Sequence, residues 1–251
     1  MKIRFAGIAA LLLAVVSLPL ALSAQDEIPT GSDIDITSGD QAYKSYLAAP
    51  ASGGPYPGIV LVHSFRGLEQ GYKDMVDQFA GQGYVVLAVG WQTFAQDPGD
   101  ATVKQLIEDS VSFLTARADV DPERLGLTGF CAGGRYTMLL LPQIDSFKAG
   151  VAWYGFPTRG EPAPVSFVPD LKVPMLIIHG TADQASPIAD IYSYVQTLTA
   201  ANKDFELKIY SGQPHGFMIQ GGQLNAGEIG VTAFHEMVDF FNRKLGVPVP
   251  A

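Results

Sequence analysis

Arg124-Leu125-Gly126-Leu127-Thr128-Gly129-Phe130-Cys131-Ala132-Gly133-Gly134 is the stretch on which the reading of this chain turns. Its first five residues predict a buried strand, and the residues from Gly134 to Leu141 predict a helix. Between them, Gly129-x-Cys131-x-Gly133 sets a nucleophilic side chain in a strand-to-helix turn, with a glycine two residues away on each side. Such a turn holds its central residue in a strained backbone conformation and exposes it at the carboxyl edge of a sheet. Side chains at the flanking positions would collide with the adjoining strand and helix, so glycine is required there. The helix N-terminus favours a thiolate, and the Ala132 amide becomes one arm of an oxyanion hole. The competing reading is a tight turn around a small buried cysteine.

Working outward, apolar runs at residues 58–63, 84–89, 149–153, 175–179 and 205–210 read as buried strands. Amphipathic patterns at 72–81, 101–116, 188–201 and 231–245 read as helices. The regular alternation predicts an α/β fold with a mostly parallel sheet covered on both faces. Before it, segments 34–37 and 43–47, split by Ser38-Gly39-Asp40, predict an antiparallel hairpin, and 25–33 predicts a short polar arm. Residues 156–174 are proline-rich without periodicity and predict a loop across one rim. No internal repeat, heptad or low-complexity block is present. A chain of 251 residues, 47% of them hydrophobic, buries a substantial core within one domain, expected over 25–251.

The first 24 residues form a basic start (Lys2, Arg4), an apolar run through Val16 and a small-residue end at Ser23-Ala24. That is the pattern of a secretory signal cleaved after Ala24 or Ser23. The competing reading is a membrane anchor, but Pro19 and the small residues leave the apolar run short of the roughly 20 residues needed to span a bilayer. Export to a periplasm or the medium is expected, with no stable membrane association after cleavage. Loss of Lys2 and Arg4 takes the formal charge from −9 to −11. An acidic surface gives nucleic-acid or anionic-membrane binding no electrostatic support. Exported cysteines normally occur in pairs, yet Cys131 stands alone, which calls for an explanation other than a disulfide.

The elbow needs a base and a group to orient it, in the order nucleophile, acid, histidine. His179-Gly180-Thr181-Ala182-Asp183 follows an apolar strand, and Gln213-Pro214-His215-Gly216-Phe217 follows the last one. Of the four histidines, His63 and His179 end strands and read as hydrogen-bonded core residues, and His235 reads as a solvated helix position. His215 alone lies in a loop after the final strand, so it is the candidate base. Asp183 is the candidate orienting acid, with a turn or helix-capping role as its alternative; Asp190, inside the next helix, is a weaker candidate. No metal or cofactor is expected.

These residues resemble the dienelactone hydrolase family, α/β-hydrolase-fold enzymes with a cysteine nucleophile. The resemblance spans about 54–245 and rests on Gly129 to Gly134, His179 to Asp183 and Pro214 to Phe217, all in family order. It implies a Cys131–His215–Asp183 triad, and it makes the Phe65 amide the second oxyanion donor. It also places Tyr154, in Val151-Ala152-Trp153-Tyr154-Gly155, near the pocket, with core packing as the alternative. Where family members typically carry a glutamate, this chain has Ser64, leaving thiol activation to His215. The arginines with which dienelactone-opening members hold the substrate carboxylate are missing from Phe217-Met218-Ile219-Gln220 and from the stretch around Trp91. Arg66 and Arg135 could approach the site, although surface or helix-flank roles are the commoner fate of charged residues; Ser64, Tyr154 and Trp91 are the other candidate pocket residues.

The function implied is hydrolysis of small carboxylic esters or lactones through a thioester acyl-enzyme, with a monomer expected. Two alternatives stay open on the sequence: a non-catalytic binding protein on a hydrolase scaffold, and a peptidase or acyltransferase on the same fold.

Overall fold

The computed structural model describes residues 28–246; the expected signal segment 1–24 and its cleavage point lie outside the described residues. The first half of the chain runs β1 (Ser32–Ser38), β2 (Gln41–Ala48), β3 (Tyr56–Val62), α1 (Gln70–Gly81), β4 (Val85–Val89), α2 (Asp100–Thr115), β5 (Val120–Phe130) and α3 (Ala132–Leu140). Then follow β6 (Phe147–Trp153), β7 (Met175–Gly180), α4 (Ile188–Ala200), β8 (Phe205–Tyr210), β9 (Ile219–Gln220), β10 (Gln223–Leu224) and α5 (Glu228–Leu245).

Eight strands form one sheet in the order β1-β2-β4-β3-β5-β6-β7-β8. The predicted hairpin is present, with Ile36 opposite Tyr43, and β2 joins β4 antiparallel at Tyr46 and Ala88. All remaining neighbours are parallel. This is the α/β-hydrolase architecture that the elbow and the alternation predict. Successive residues of a strand point to opposite faces. Ile59 and Leu61 therefore pack in one core with Met75 of α1 and Met237 of α5. Val60 and Val62 pack in the other, with Leu106 of α2, Leu139 of α3 and Ile191 of α4. Each such side chain, fully buried, contributes about 1.5–3 kcal/mol, so two helical layers are held to one sheet.

From β3 the chain moves outward to β4, then returns past β3 to β5. The loops after β3 and β5 therefore diverge, opening a crevice at their carboxyl ends. That crevice receives Phe65 and Cys131.

Three local features depart from the expectations. β5 begins at Val120, not 124, because Val120 and Asp121 pair with Tyr56 and Pro57 across a register shift; Pro122 and its charged neighbours disguise the extension. The proline-rich segment contains a 3-10 helix, Pro164–Asp170. A two-strand ribbon, β9 and β10, turns at Gly221 and Gly222, both at positive φ (57° and 81°), too short to leave a periodic signature.

α5 is also tied to the sheet by a buried polar link: the Tyr84 hydroxyl donates to Asn242 Oδ1 at 2.6 Å. Tyr84→Phe strands that acceptor in the core. It is expected to destabilise the fold by about 1–2 kcal/mol, read as a lower urea midpoint at unchanged slope.

Candidate active site

Cys131 sits between β5 and α3 at φ 58° and ψ −111°, a left-handed conformation costly for any residue but glycine. The backbone around it explains how that cost is met. The Cys131 N–H donates to Trp153 O at 3.0 Å and its carbonyl accepts from Arg135 N at 2.9 Å. A Cβ on Gly133 would strike the Val62 carbonyl, and one on Gly134 the Trp153 carbonyl. The turn is thus wedged between β3 and β6, and only glycine lets it in.

Asp183 lies in the turn after β7 and His215 in the loop after β8. Asp183 is buried; its Oδ1 accepts the Ala185 and Ser186 amides at 2.9 and 2.8 Å, and its Oδ2 meets His215 Nδ1 at 2.8 Å. The turn role and the orienting role are therefore filled by different oxygens of one carboxylate. Since an ionised carboxylate only accepts, Nδ1 carries the proton. The His215 ring packs against Tyr154 (5.1 Å between centroids) and Phe156 (5.4 Å). Its other nitrogen, Nε2, is buried and has no hydrogen-bond partner among the described residues; besides Asp183, the group that acts on the ring is the Cys131 thiol, which lines the same two cavities.

The electrostatics of the three are coupled. Burial pushes the Asp183 carboxyl up, but His215 and the Ser186 amide bring it below its ordinary value. Burial pushes His215 down, yet Asp183 and Cys131 outweigh it and raise the imidazole to about 9. Burial likewise pushes the Cys131 thiol up, and His215 together with the Phe65 and Ala132 amides brings it down on balance. A depressed thiol facing a raised imidazole favours a thiolate–imidazolium pair.

Of the other histidines, His179 adjoins this linkage, its Nε2 3.6 Å from Asp183 Oδ2, while His63 and His235 lie outside it. His63 is buried and held near pKa 4 by desolvation, its Nδ1 2.7 Å from Ser64 O and its ring stacked on Trp91. His179 is buried with Nε2 2.8 Å from Ser186 O. His235 is exposed on α5, and Asp190 stands in the first turn of α4.

Cys131, His215 and Phe65 stand between two cavities. The larger, ≈ 700 Å³, is lined by Trp91, Tyr136 and Phe156 with Arg135 and Arg159; the smaller, ≈ 470 Å³, by Ser64, Arg66, Tyr72, Tyr154 and Phe217. Of the candidate pocket residues, Trp91 donates its indole N–H to His63 O at 3.1 Å. Ser64 Oγ accepts the Arg66 amide at 3.2 Å, and Arg66 is exposed. Arg135 borders the larger cavity, but its guanidinium is committed: two bonds to Asp100 at 2.7 Å and one to Arg159 O at 2.8 Å. It clasps α3 to α2 and the proline-rich loop. Tyr154 fills both proposed roles, buried in the core and lining the smaller cavity.

The sequence reading missed Phe156 and Arg159, whose guanidinium lies 3.8 Å from the Phe156 ring centroid; both sit in the proline-rich segment, which has no periodicity to flag them. It also missed Tyr72, which on α1 is indistinguishable from core. Gln92 and Gln96 were missed too; their amides reach the Phe65 carbonyl at 3.2 and 2.7 Å. Among the described residues no group of three or more His, Cys, Asp and Glu side chains is gathered as for a metal ion.

The model of the dienelactone hydrolase family matches residues 43–90 and 90–245. The chain belongs to this family, and so to the carboxylic ester hydrolases. A Methylorubrum extorquens relative named "Putative carboxymethylenebutenolidase" is 31% identical over 86% of this chain and 81% of its own length. The crystal structure of a Klebsiella pneumoniae protein described as a "Putative Dienelactone Hydrolase" superposes with a TM-score of 0.76 at 26% identity, covering 86% of this chain and 99% of that one. A Pyrococcus horikoshii acylaminoacyl peptidase, at 20% identity, TM-score 0.74, and 88% and 42% coverage, shares the fold alone.

The coupled titration is measurable by alkylation. Iodoacetamide is expected to modify Cys131 below pH 8, where an ordinary thiol is mostly protonated. His215→Gln removes the largest stabilising partner of the thiolate, so reactivity should fall at neutral pH and return only as pH rises above the ordinary thiol range. Superimposable pH profiles for the two proteins contradict the linkage.

Proposed function

We propose that this protein is an exported hydrolase of small carboxylic esters or lactones, with Cys131 as nucleophile, His215 as acid and base, and Asp183 as the group that orients His215. What carries the reading is the convergence of three groups: the Asp183 carboxylate 2.8 Å from His215 Nδ1, and the Cys131 thiol acting on the same imidazole at the junction of the two cavities. It is reinforced by two backbone amides, of Phe65 and Ala132, that bear on the same sulfur and lower its pKa.

The chemistry follows from these placements. The thiolate attacks the ester carbonyl and forms a C–S bond, while the carbonyl π pair moves to oxygen and is held by the Phe65 and Ala132 amides. On collapse the C–O bond breaks, and the imidazolium gives its Nε2 proton to the leaving alkoxide, leaving a thioester and neutral His215. Water then transfers a proton to Nε2 as it attacks the thioester. Expulsion of the thiolate releases the acid and regenerates the charged pair. Asp183 accepts from Nδ1–H throughout, fixing the tautomer and stabilising the imidazolium.

Ser64 in place of the family glutamate fits this scheme, because His215 and the two amides depress the thiol without a second carboxylate. Lactones enter as cyclic esters with the same bond changes. The basic start, apolar run and small-residue end of residues 1–24 support export to a periplasm or the medium as a single domain over 25–251.

Cys131→Ala is expected to lower turnover of p-nitrophenyl acetate by about 10³-fold or more with an unchanged far-ultraviolet spectrum. Mass spectrometry of the quenched wild-type reaction should find an acyl adduct on Cys131. Retained turnover in the alanine variant overturns the assignment.

A further inference from the structure

The smaller of the two cavities contains hydroxyl groups that the proposed mechanism does not use. Tyr154 is 1% exposed and lines that cavity, yet among the described residues no acceptor takes its hydroxyl hydrogen; the Met218 amide is the backbone group that bears on its oxygen. The groups that act on it include the Tyr72 hydroxyl and the Cys131 thiol, which places it beside the reacting sulfur. Its position is fixed rather than incidental. The Tyr154 backbone is held at φ 36°, rare for an aromatic residue, by an N–H bond to Ile178 O at 2.8 Å. Its ring is packed among those of Phe130, Phe217 and His215.

Tyr72, also 1% exposed, lines the same cavity from α1. Its oxygen accepts the Ser64 amide at 3.2 Å, and the Ser64 side chain also bears on it. Burial raises both phenols above their ordinary range, so both stay protonated donors. A buried hydroxyl whose hydrogen has no acceptor costs stability, and one beside a nucleophile, in the lining of a cavity that a second phenol shares, points to a ligand that supplies the acceptor. The charged side chains of the cavity, Arg66 and Glu69, are of opposite sign, so the complement is a neutral oxygen rather than a carboxylate. Phe217 and Ile219 supply apolar wall for the carbon around it.

We propose that this cavity is a subsite for an acceptor oxygen carried close to the scissile carbonyl, so that the substrates are oxygenated esters with an alkoxy, hydroxy or oxo group bound by Tyr154 and Tyr72. The proposal rests on the ester-hydrolase reading. A site built to hydrogen-bond a substrate oxygen discriminates against the analogue that lacks it far more strongly than an apolar pocket discriminates by size.

Two substrate pairs of matched length test it: p-nitrophenyl methoxyacetate against butyrate on the acyl side, and 2-methoxyethyl against n-butyl acetate on the alcohol side. The ratio of kcat/KM within each pair is compared between wild type and Tyr154→Phe, so that intrinsic reactivity cancels. In one pair the ratio should fall by about tenfold or more, and Tyr72→Phe should lower the same ratio. The melting temperature of ligand-free Tyr154→Phe should not drop, because removing a hydroxyl whose hydrogen is unpaired strands no acceptor. Ratios unchanged within about twofold in both pairs overturn the proposal, as does a melting temperature several degrees lower with unchanged ratios, which assigns the hydroxyl a structural role. Failure of folded wild-type protein to turn over any of the four esters overturns the ester-hydrolase reading itself and the subsite with it.

Discussion

The close approach of α3 to the ends of β3 and β6 is the constraint from which the rest of the site follows. Val62, the last residue of β3, presents its carbonyl where a Gly133 side chain would stand, and Trp153, the last of β6, does the same at Gly134. With glycine at both, the helix N-terminus enters between two strands. Cys131 is then forced through a left-handed turn that lifts its sulfur above the sheet. The same insertion carries the Ala132 amide to the sulfur and places it opposite the Phe65 amide in the loop after β3. An alanine at Gly133 would press on backbone, which cannot yield as a flexible side chain can, so the elbow would have to move as a unit and take the nucleophile with it.

Once the sulfur is in place, competition between burial and local bonding sets its charge. Desolvation alone would keep Cys131 protonated and His215 neutral, and it is the largest single influence on each. It loses because several bonds converge: Asp183 on Nδ1, the thiolate on the opposite side of the ring, and two amides on the sulfur. Asp183 can serve only because its other oxygen is satisfied by the Ala185 and Ser186 amides, which hold it ionised at 5% exposure. In the proposed mechanism, thiolate formation therefore does not need the glutamate that the family resemblance would place near the thiol. Its position is taken by Ser64, whose oxygen binds the adjacent Arg66 amide.

The fold and the gathering of Cys131, His215 and Asp183 at one place were legible in the sequence for a physical reason: both are written in local rules. Buried parallel strands are continuous apolar runs, and the elbow's glycines are dictated by a backbone collision independent of distant residues. His215 was identifiable by elimination, since His63 and His179 end strands and lie buried against backbone carbonyls. The two-cavity shape of the site was not legible. It is built by residues whose role depends on loop paths: Phe156 and Arg159 in a segment without periodicity, and Tyr72, whose helical spacing marks it as core while its hydroxyl reaches the Ser64 amide. Arg135 illustrates the same limit. Its place at the start of α3 suggests a substrate ligand, but a carboxylate from α2, remote in sequence, claims its guanidinium.

Phe65 poses a further problem, because its amide faces the sulfur while its side chain is 46% exposed in a loop. An oxyanion donor stabilises developing charge only if it is oriented beforehand, without reorganisation during reaction. The backbone on each side of Phe65 is tied down from a different element. Before it, the Ser64 N–H donates to the Tyr72 hydroxyl on α1. After it, the Phe65 carbonyl accepts from Gln92 and Gln96, in the segment between β4 and α2. The Gln92 amide also donates to the Gln96 carbonyl at 2.8 Å, bracing the two against each other. The ring can thus face solvent at the mouth of both cavities while the peptide beneath it is held on both sides. An exposed side chain on a braced backbone leaves the rim of the site open to different substrates without loosening the donor that the proposed chemistry requires.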